Sequence, residues 1–308
     1  QGEFNVTIRG SGEGATLDGQ GITRLFHVVG GCSLTLERLN LNNGKAYYGG
    51  AVYADEGEKD YCSEEEDYFS YEEECMKLPP GNITLINTNV SNCSAVHGGA
   101  VYLKGGGLDV IHSVISGCRA KTYGGAIFIA SSRASLDGSS IIDCHASHAG
   151  GAMYVGDSGS SDSALRLVRT SIVDCSAYYY GGAVSVSSGA LSLDDTSVVR
   201  CHTEFKGGAM QVSSGTVDIT HSIISDCYSK WLGGALFVEG GEVSLITAKI
   251  SGCNATENGG GLYSAGGSTS LSDGTLISDC SAQSGGGLYS GGGSTSLSDR
   301  TLISGCSA

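Results

Sequence analysis

The chain has 308 residues, a formal charge of −15, 50 glycines against two prolines, and twelve cysteines. Its 17 Lys and Arg are spread along the length, which argues against a role resting on clustered cations and nucleic acid. No apolar run approaches the roughly 20 residues that span a bilayer. Glycine at this density without a collagen triplet means disorder or many tight turns, and the recurrent Val, Ile and Leu select turns.

The sequence opens on Gln1-Gly2-Glu3-Phe4, without the charged and apolar regions of a signal peptide, so a processed chain is expected. Residues 1–33, including Ala15-Thr16-Leu17-Asp18-Gly19 and Leu25-Phe26-His27-Val28-Val29, read as irregular starting coils. A first repeating unit runs from Leu41 through Gly44 to Gly49-Gly50-Ala51. Residues 55–80 then interrupt the array with eleven Asp and Glu and two Lys, a local charge of −9 that leaves only −6 for the rest. Cys62 and Cys75 within this insertion are expected to pair and pin a loop that lacks a core. Its carboxylates lack EF-hand spacing and read as a solvated acidic surface.

From there a ladder of cysteines sets the period: Cys93, Cys118, Cys144, Cys175, Cys201, Cys227, Cys253, Cys280 and Cys306, at spacings of 25, 26, 31, 26, 26, 26, 27 and 26. The polar stretch Gly156-Asp157-Ser158-Gly159-Ser160-Ser161 explains the long interval. Five or six residues after the ladder cysteines comes a Gly-Gly pair, usually followed by Ala, as in Gly98-Gly99-Ala100 and Gly124-Gly125-Ala126. Three residues before each cysteine the column Val90, Ile115, Ile141, Ile172, Val198, Ile224, Ile250, Ile277 and Ile303 is β-branched throughout and belongs inside. Six residues before each cysteine the column from Asn87 and His112 to Arg300 is polar and variable and faces water.

Short period-2 segments such as Leu191-Ser192-Leu193 and Val217-Asp218-Ile219 complete each unit, with no helical periodicity. One such unit is one coil of a parallel solenoid, in which every coil pairs with the next. The expected fold is therefore all-β, a right-handed parallel β-helix spanning 1–308 as one domain, the hand following from the bias of parallel crossovers. With ~26 residues per coil it has about eleven coils, a rod of roughly 50 Å at ~4.8 Å per coil.

Aromatics recur at two positions of the coil: Tyr102, Phe128, Tyr154, Phe237 and Tyr263 after the Gly pair, and Tyr179, Tyr180, Phe205 and Trp231 before it. Because Val101, Ile127 and Leu236 alternate with the first set, that set should face outward, as a surface for sugar rings or for another rod. The alternative is that the rings fill the interior. Five N-x-[S/T] sequons occur; glycans are expected at Asn5, Asn82, Asn89 and Asn254, and less so at Asn92, which abuts Cys93. With the cysteines they point to a secreted, disulfide-bearing chain.

The segment Ile115-Ser116-Gly117-Cys118-Arg119-Ala120-Lys121-Thr122-Tyr123-Gly124-Gly125-Ala126-Ile127 resembles the polymorphic membrane protein repeat of chlamydial surface proteins. That pattern is F-x-x-N-x-A followed by G-G-A-[ILV]; here Ile replaces Phe and Cys replaces Asn, and the likeness recurs over residues 34 to 308. The resemblance implies a surface-exposed adhesin on a β-helical body, and similar repeats occur in extracellular proteins of microalgae and other protists. The cysteine ladder, the sequons and the lack of a terminal membrane barrel depart from the bacterial pattern, so a eukaryotic extracellular member is expected.

In-register cysteines one coil apart have Cα atoms ~4.8 Å apart, within disulfide range, although their Cβ separation is long for one. In an oxidising compartment the expected pairs are Cys93 with Cys118, Cys144 with Cys175, Cys201 with Cys227 and Cys253 with Cys280, leaving Cys306. The alternative is a stack of buried thiols, in the corner that the family's Asn ladder fills with hydrogen bonds.

Catalytic constellations are thin. Asp194-Asp195 is the one adjacent acidic pair outside the acidic insertion, alternation points it to opposite faces, and no Gly-His-Gly turn accompanies it. Cys144-His145-Ala146-Ser147-His148 has metal-like spacing but reads as a turn with surface histidines. The expectation is a non-catalytic, extracellular structural or adhesive solenoid of a cell surface, matrix or fibre, without cofactor or metal. Its partners would be itself, another surface protein or glycans. The alternative is a polysaccharide-acting enzyme of the pectate-lyase type, which shares the fold. The last two units are nearly identical and Ala308 falls before a Gly pair, so a longer chain or head-to-tail assembly is expected there.

Overall fold

The computed structural model describes residues 4–12, 14–55, 81–156 and 162–308. The expected pairing of Cys62 with Cys75, and nearly all of the acidic insertion, lie outside the described residues. Within them the chain winds into a parallel β-solenoid of about ten turns, slightly fewer than the eleven expected, with strands on two faces eleven deep. A long face runs from Phe4–Arg9 to Ser294–Leu297, and an isoleucine face from Ala15–Asp18 to Leu302–Ser304. A third face of ten strands runs from Phe26–Val28 to Leu288–Ser290, and a short ladder of seven from Ser94–His97 to Asn254–Ala255. Every strand pairs parallel with its equivalent one turn away, as Leu108 with Ala134 and Ile115 with Ile141. The segment expected to be irregular supplies the first rung of all three long sheets, with Phe4 beside Cys32, Leu17 beside Leu41 and Phe26 beside Val52.

Alternation on three faces encloses one core. Leu191 and Leu193 point inward from the long face, Ile172 and Ile224 from the isoleucine face, and Val184 and Val186 from the third, all buried. The Ile column is inside along its length except at Ile303 on the last rung, which is 37% exposed.

The corners are made by left-handed residues. The polar column six before each cysteine is exposed as expected, and it also bends the backbone: Asn87, His112, Asp195 and His221 have φ of 48° to 49°. A second left-handed corner precedes the cysteines, at Asn92, Asp143, Asp174 and Asp226 (φ 50° to 56°), which explains Asn, Asp and Gly there. The third corner is the Gly pair, whose members are needed for different reasons. Gly124 has φ +65°, while a Cβ on Gly125 would lie 1.9 Å from the carbonyl oxygen of Gly151 in the next coil.

Candidate functional site

The cysteine ladder is a stack of thiols. All ten described cysteines are free, and those from Cys93 to Cys280 are buried. The pairs expected to form disulfides (Cys93, Cys118, Cys144, Cys175, Cys201, Cys227, Cys253 and Cys280) are therefore unbonded in the structure, and the geometry gives the reason. In-register Cβ vectors run parallel, which keeps neighbouring Cβ atoms near the ~4.8 Å rung spacing, beyond the ~3.5–4.5 Å of a disulfide. Each Sγ instead donates to the carbonyl two residues earlier, as Cys118 to Ser116 at 3.3 Å and Cys227 to Ser225 at 3.2 Å. Burial, with hydrogen bonding to Cys201 and Cys253, holds the Cys227 thiol well above its ordinary value.

The preceding corner repeats this device with hydroxyls, a feature the sequence reading missed. Five residues before the cysteines stand Thr88, Ser113, Ser139, Thr170, Thr196 and Ser222, all buried. Thr170 Oγ1 donates to the carbonyls of Val168 (2.9 Å) and Leu136 (3.1 Å), and Ser139 Oγ to those of Asp137 and Val110, both at 3.0 Å. Thiol and hydroxyl thus do the same work after a left-handed corner: each satisfies the carbonyl that the bend turns inward.

The aromatics alternate with inward Val101, Ile127 and Leu236, so their rings stand outside the barrel, yet they pack on one another. Tyr102 stacks on Phe128 (4.7 Å, 4°), Phe128 on Tyr154 (5.1 Å, 12°) and Phe237 on Tyr263 (5.3 Å, 19°). Phe128 and Phe237 are consequently buried, at 8% and 2% exposure. In the second column Tyr179 meets Phe205 at 4.9 Å and Phe205 meets Trp231 at 5.0 Å, with Tyr180 6.0 Å from Tyr179. Trp231 is exposed, and Tyr179, Tyr180 and Phe205 are half-buried.

The sequon residues Asn5, Asn82, Asn89 and Asn254 are exposed, and so is Asn92, at its corner. Asn89 and Asn254 are also tied to the neighbouring coil through their amide nitrogens, to Asn40 Oδ1 and Ser281 Oγ.

Charged side chains pair in the same axial sense: Arg9 with Glu37, Arg169 with Asp137, Arg200 with Asp174 and Lys230 with Glu204, each one turn apart. Asp194 lies on the long face within 3.3 Å of His221 Nδ1, while Asp195 is the left-handed corner beside it. A shallow groove on the long face includes Asp109, Arg133, Arg166 and Asp218. Asp109 and Asp218 are four rungs apart in the register, about 19 Å at ~4.8 Å per rung.

A second groove, of about 410 Å³, lies on the short ladder and gathers Lys45, Arg119, Lys121 and His145. Sequence reading missed it because Lys45, the Arg119–Lys121 segment and His145 are far apart along the chain and meet only through the register. His145 accordingly sits in the outward column expected for it, aligned with Ser176 and then His202, its Nδ1 2.9 Å from Ser176 Oγ. Burial, then the charges of Arg119 and His202, hold its pKa below the ordinary histidine value. Among the described residues no group of three or more His, Cys, Asp or Glu is placed to hold a metal ion, and no helix is long and apolar enough to cross a membrane.

The family described as "Right handed beta helix region" matches residues 5–276. No curated protein and no solved structure matches the chain.

Proposed function

This chain belongs to the right handed beta helix family, and on that premise we propose that it is an extracellular structural or adhesive rod, non-catalytic, in a cell surface, matrix or fibre. The observation that carries this reading is the direction in which the surface side chains bond. The ion pairs Arg169–Asp137, Arg200–Asp174 and Lys230–Glu204, the ring stacks and the Asn89–Asn40 amide contact all run from one coil to the next along the rod. Surface chemistry used in this way strengthens the stack, as cross-strand pairs do in any sheet. The likeness of the Gly-Gly-Ala coil to the chlamydial surface repeat supports a surface location, and the exposed sequons support secretion through a eukaryotic pathway with glycans at Asn5, Asn82, Asn89 and Asn254.

The second reading is a polysaccharide-acting enzyme, a chemistry that the fold also carries, and the long-face groove is where it would reside. Its Asp109 and Asp218, about 19 Å apart, are wider than the roughly 5–9.5 Å of a carboxylate pair that cleaves a glycosidic bond, which supports the structural reading. The test is to incubate the full chain with polygalacturonate, xylan and alginate, following reducing ends and unsaturated products. The structural reading expects no turnover above a heat-denatured control. Turnover that disappears in Asp109→Asn or Asp218→Asn would overturn it.

A further inference from the structure

We propose that the groove on the short ladder binds an anionic saccharide, carboxylated or sulfated, lying along the rod axis. The charge distribution is the first ground. The chain carries −15 overall, yet Lys45, Arg119, Lys121 and His145 line this groove and, among the described residues, no carboxylate does. Unlike Arg169, Arg200 and Lys230, the side chains of Lys45, Arg119 and Lys121 are exposed and form no ion pair among the described residues. Their donors are left for a ligand.

The second ground is the register. Lys45 pairs with Ser94, Ser94 with Arg119 and Arg119 with His145, so the cations follow one line across successive coils. Lys45 and Arg119 are two rungs apart, about 10 Å at ~4.8 Å per rung, and Lys121 lies two residues on from Arg119 on the same side of its strand. A guanidinium offers a fork that fits carboxylate or sulfate oxygens bidentately, whereas the lysines act as point charges. His145 Nδ1 is taken up by Ser176 Oγ at 2.9 Å, which leaves Nε2 as its second polar ring atom.

The third ground selects a sugar among anions. Tyr47, at one end of the groove, is 60% exposed, perpendicular to Tyr48 (4.7 Å, 77°) and tilted to His97 at 6.1 Å, so its ring is more open to a sugar than the buried Phe128 and Phe237 of the aromatic column. Ser94 and Ser147 add hydroxyls to the lining. Charges recurring along a saccharide match cations recurring along the rod. The site rests on its own geometry and is independent of the structural role proposed above.

The experiment is calorimetric titration of the full chain, at low and at physiological salt, with tetragalacturonate, a dextran sulfate oligomer, neutral maltotetraose and a short oligothymidylate. The same series is run on the Arg119→Ser/Lys121→Ser double variant, whose exposed substitutions should leave thermal unfolding unchanged. The expected result is salt-sensitive binding of one or both anionic saccharides, weakened at least tenfold in the variant; which one binds assigns carboxylate or sulfate. Maltotetraose binding as tightly, oligothymidylate binding more tightly, no binding of either anionic saccharide, or an unchanged affinity in the variant would each overturn the proposal.

Discussion

At the scale of single residues, the ladder cysteines are where chemistry and position diverge most from a sequence expectation. Their spacing reveals that they stack, but not whether they bond, because that depends on Cβ direction, and in a parallel register the Cβ atoms do not converge. All six of the central ladder thiols are buried, out of reach of a charged reagent in water. Native protein treated with a charged alkylating reagent at neutral pH should therefore leave Cys118, Cys144, Cys175, Cys201, Cys227 and Cys253 unmodified, while denaturation without reductant should expose all six. Mass spectrometry reads both states. A loss of about 2 Da per pair before reduction, with no alkylation after denaturation, would restore the disulfide assignment.

Single elements show why part of the coil was legible and part was not. The Ile column stood out because an unbroken β-branched identity has one explanation, burial on a strand face. The Gly pairs stood out because two consecutive glycines at a fixed phase mark a corner, although the separate need of Gly125, its contact with Gly151 of the next coil, exists only in three dimensions. The hydroxyl corner was hidden because Ser and Thr are frequent throughout this chain and a buried one looks like an exposed one in sequence. The cationic groove was hidden for a related reason, since Lys45 and Arg119 are joined by register across the interruption at 55–80. A core contact and a corner contact should differ in cost. Ile172→Ala should destabilise by about 2–5 kcal/mol, the range for emptying a buried branched side chain. Thr170→Val keeps the shape and loses only the bonds to Val168 and Leu136, so about 1 kcal/mol is expected. Chemical denaturation of both variants checks the order, and an equal or reversed cost would show that the hydroxyl ladder is the main fastening of that corner.

For the whole molecule, one coil repeated about ten times explains how a chain with two prolines and 50 glycines builds a continuous core with no helix among the described residues. Each coil contacts its neighbours, so stability is a sum of like interfaces along one axis, and the outward columns of rings, amides and ion pairs add to every interface. This stacking is tested most directly by distances along a single outward column of the long face. Thr84, Asp109, Ser135, Arg166, Ser192, Asp218 and Ser244 occupy consecutive rungs. With spin-labelled residues introduced at Ser135 and Ser244, four rungs apart, pulsed electron resonance should give a backbone separation of about 19 Å. Moving the first label to Thr84, six rungs from Ser244, should lengthen it to about 29 Å. Separations that fail to grow in proportion to the number of rungs would contradict a solenoid wound in this register.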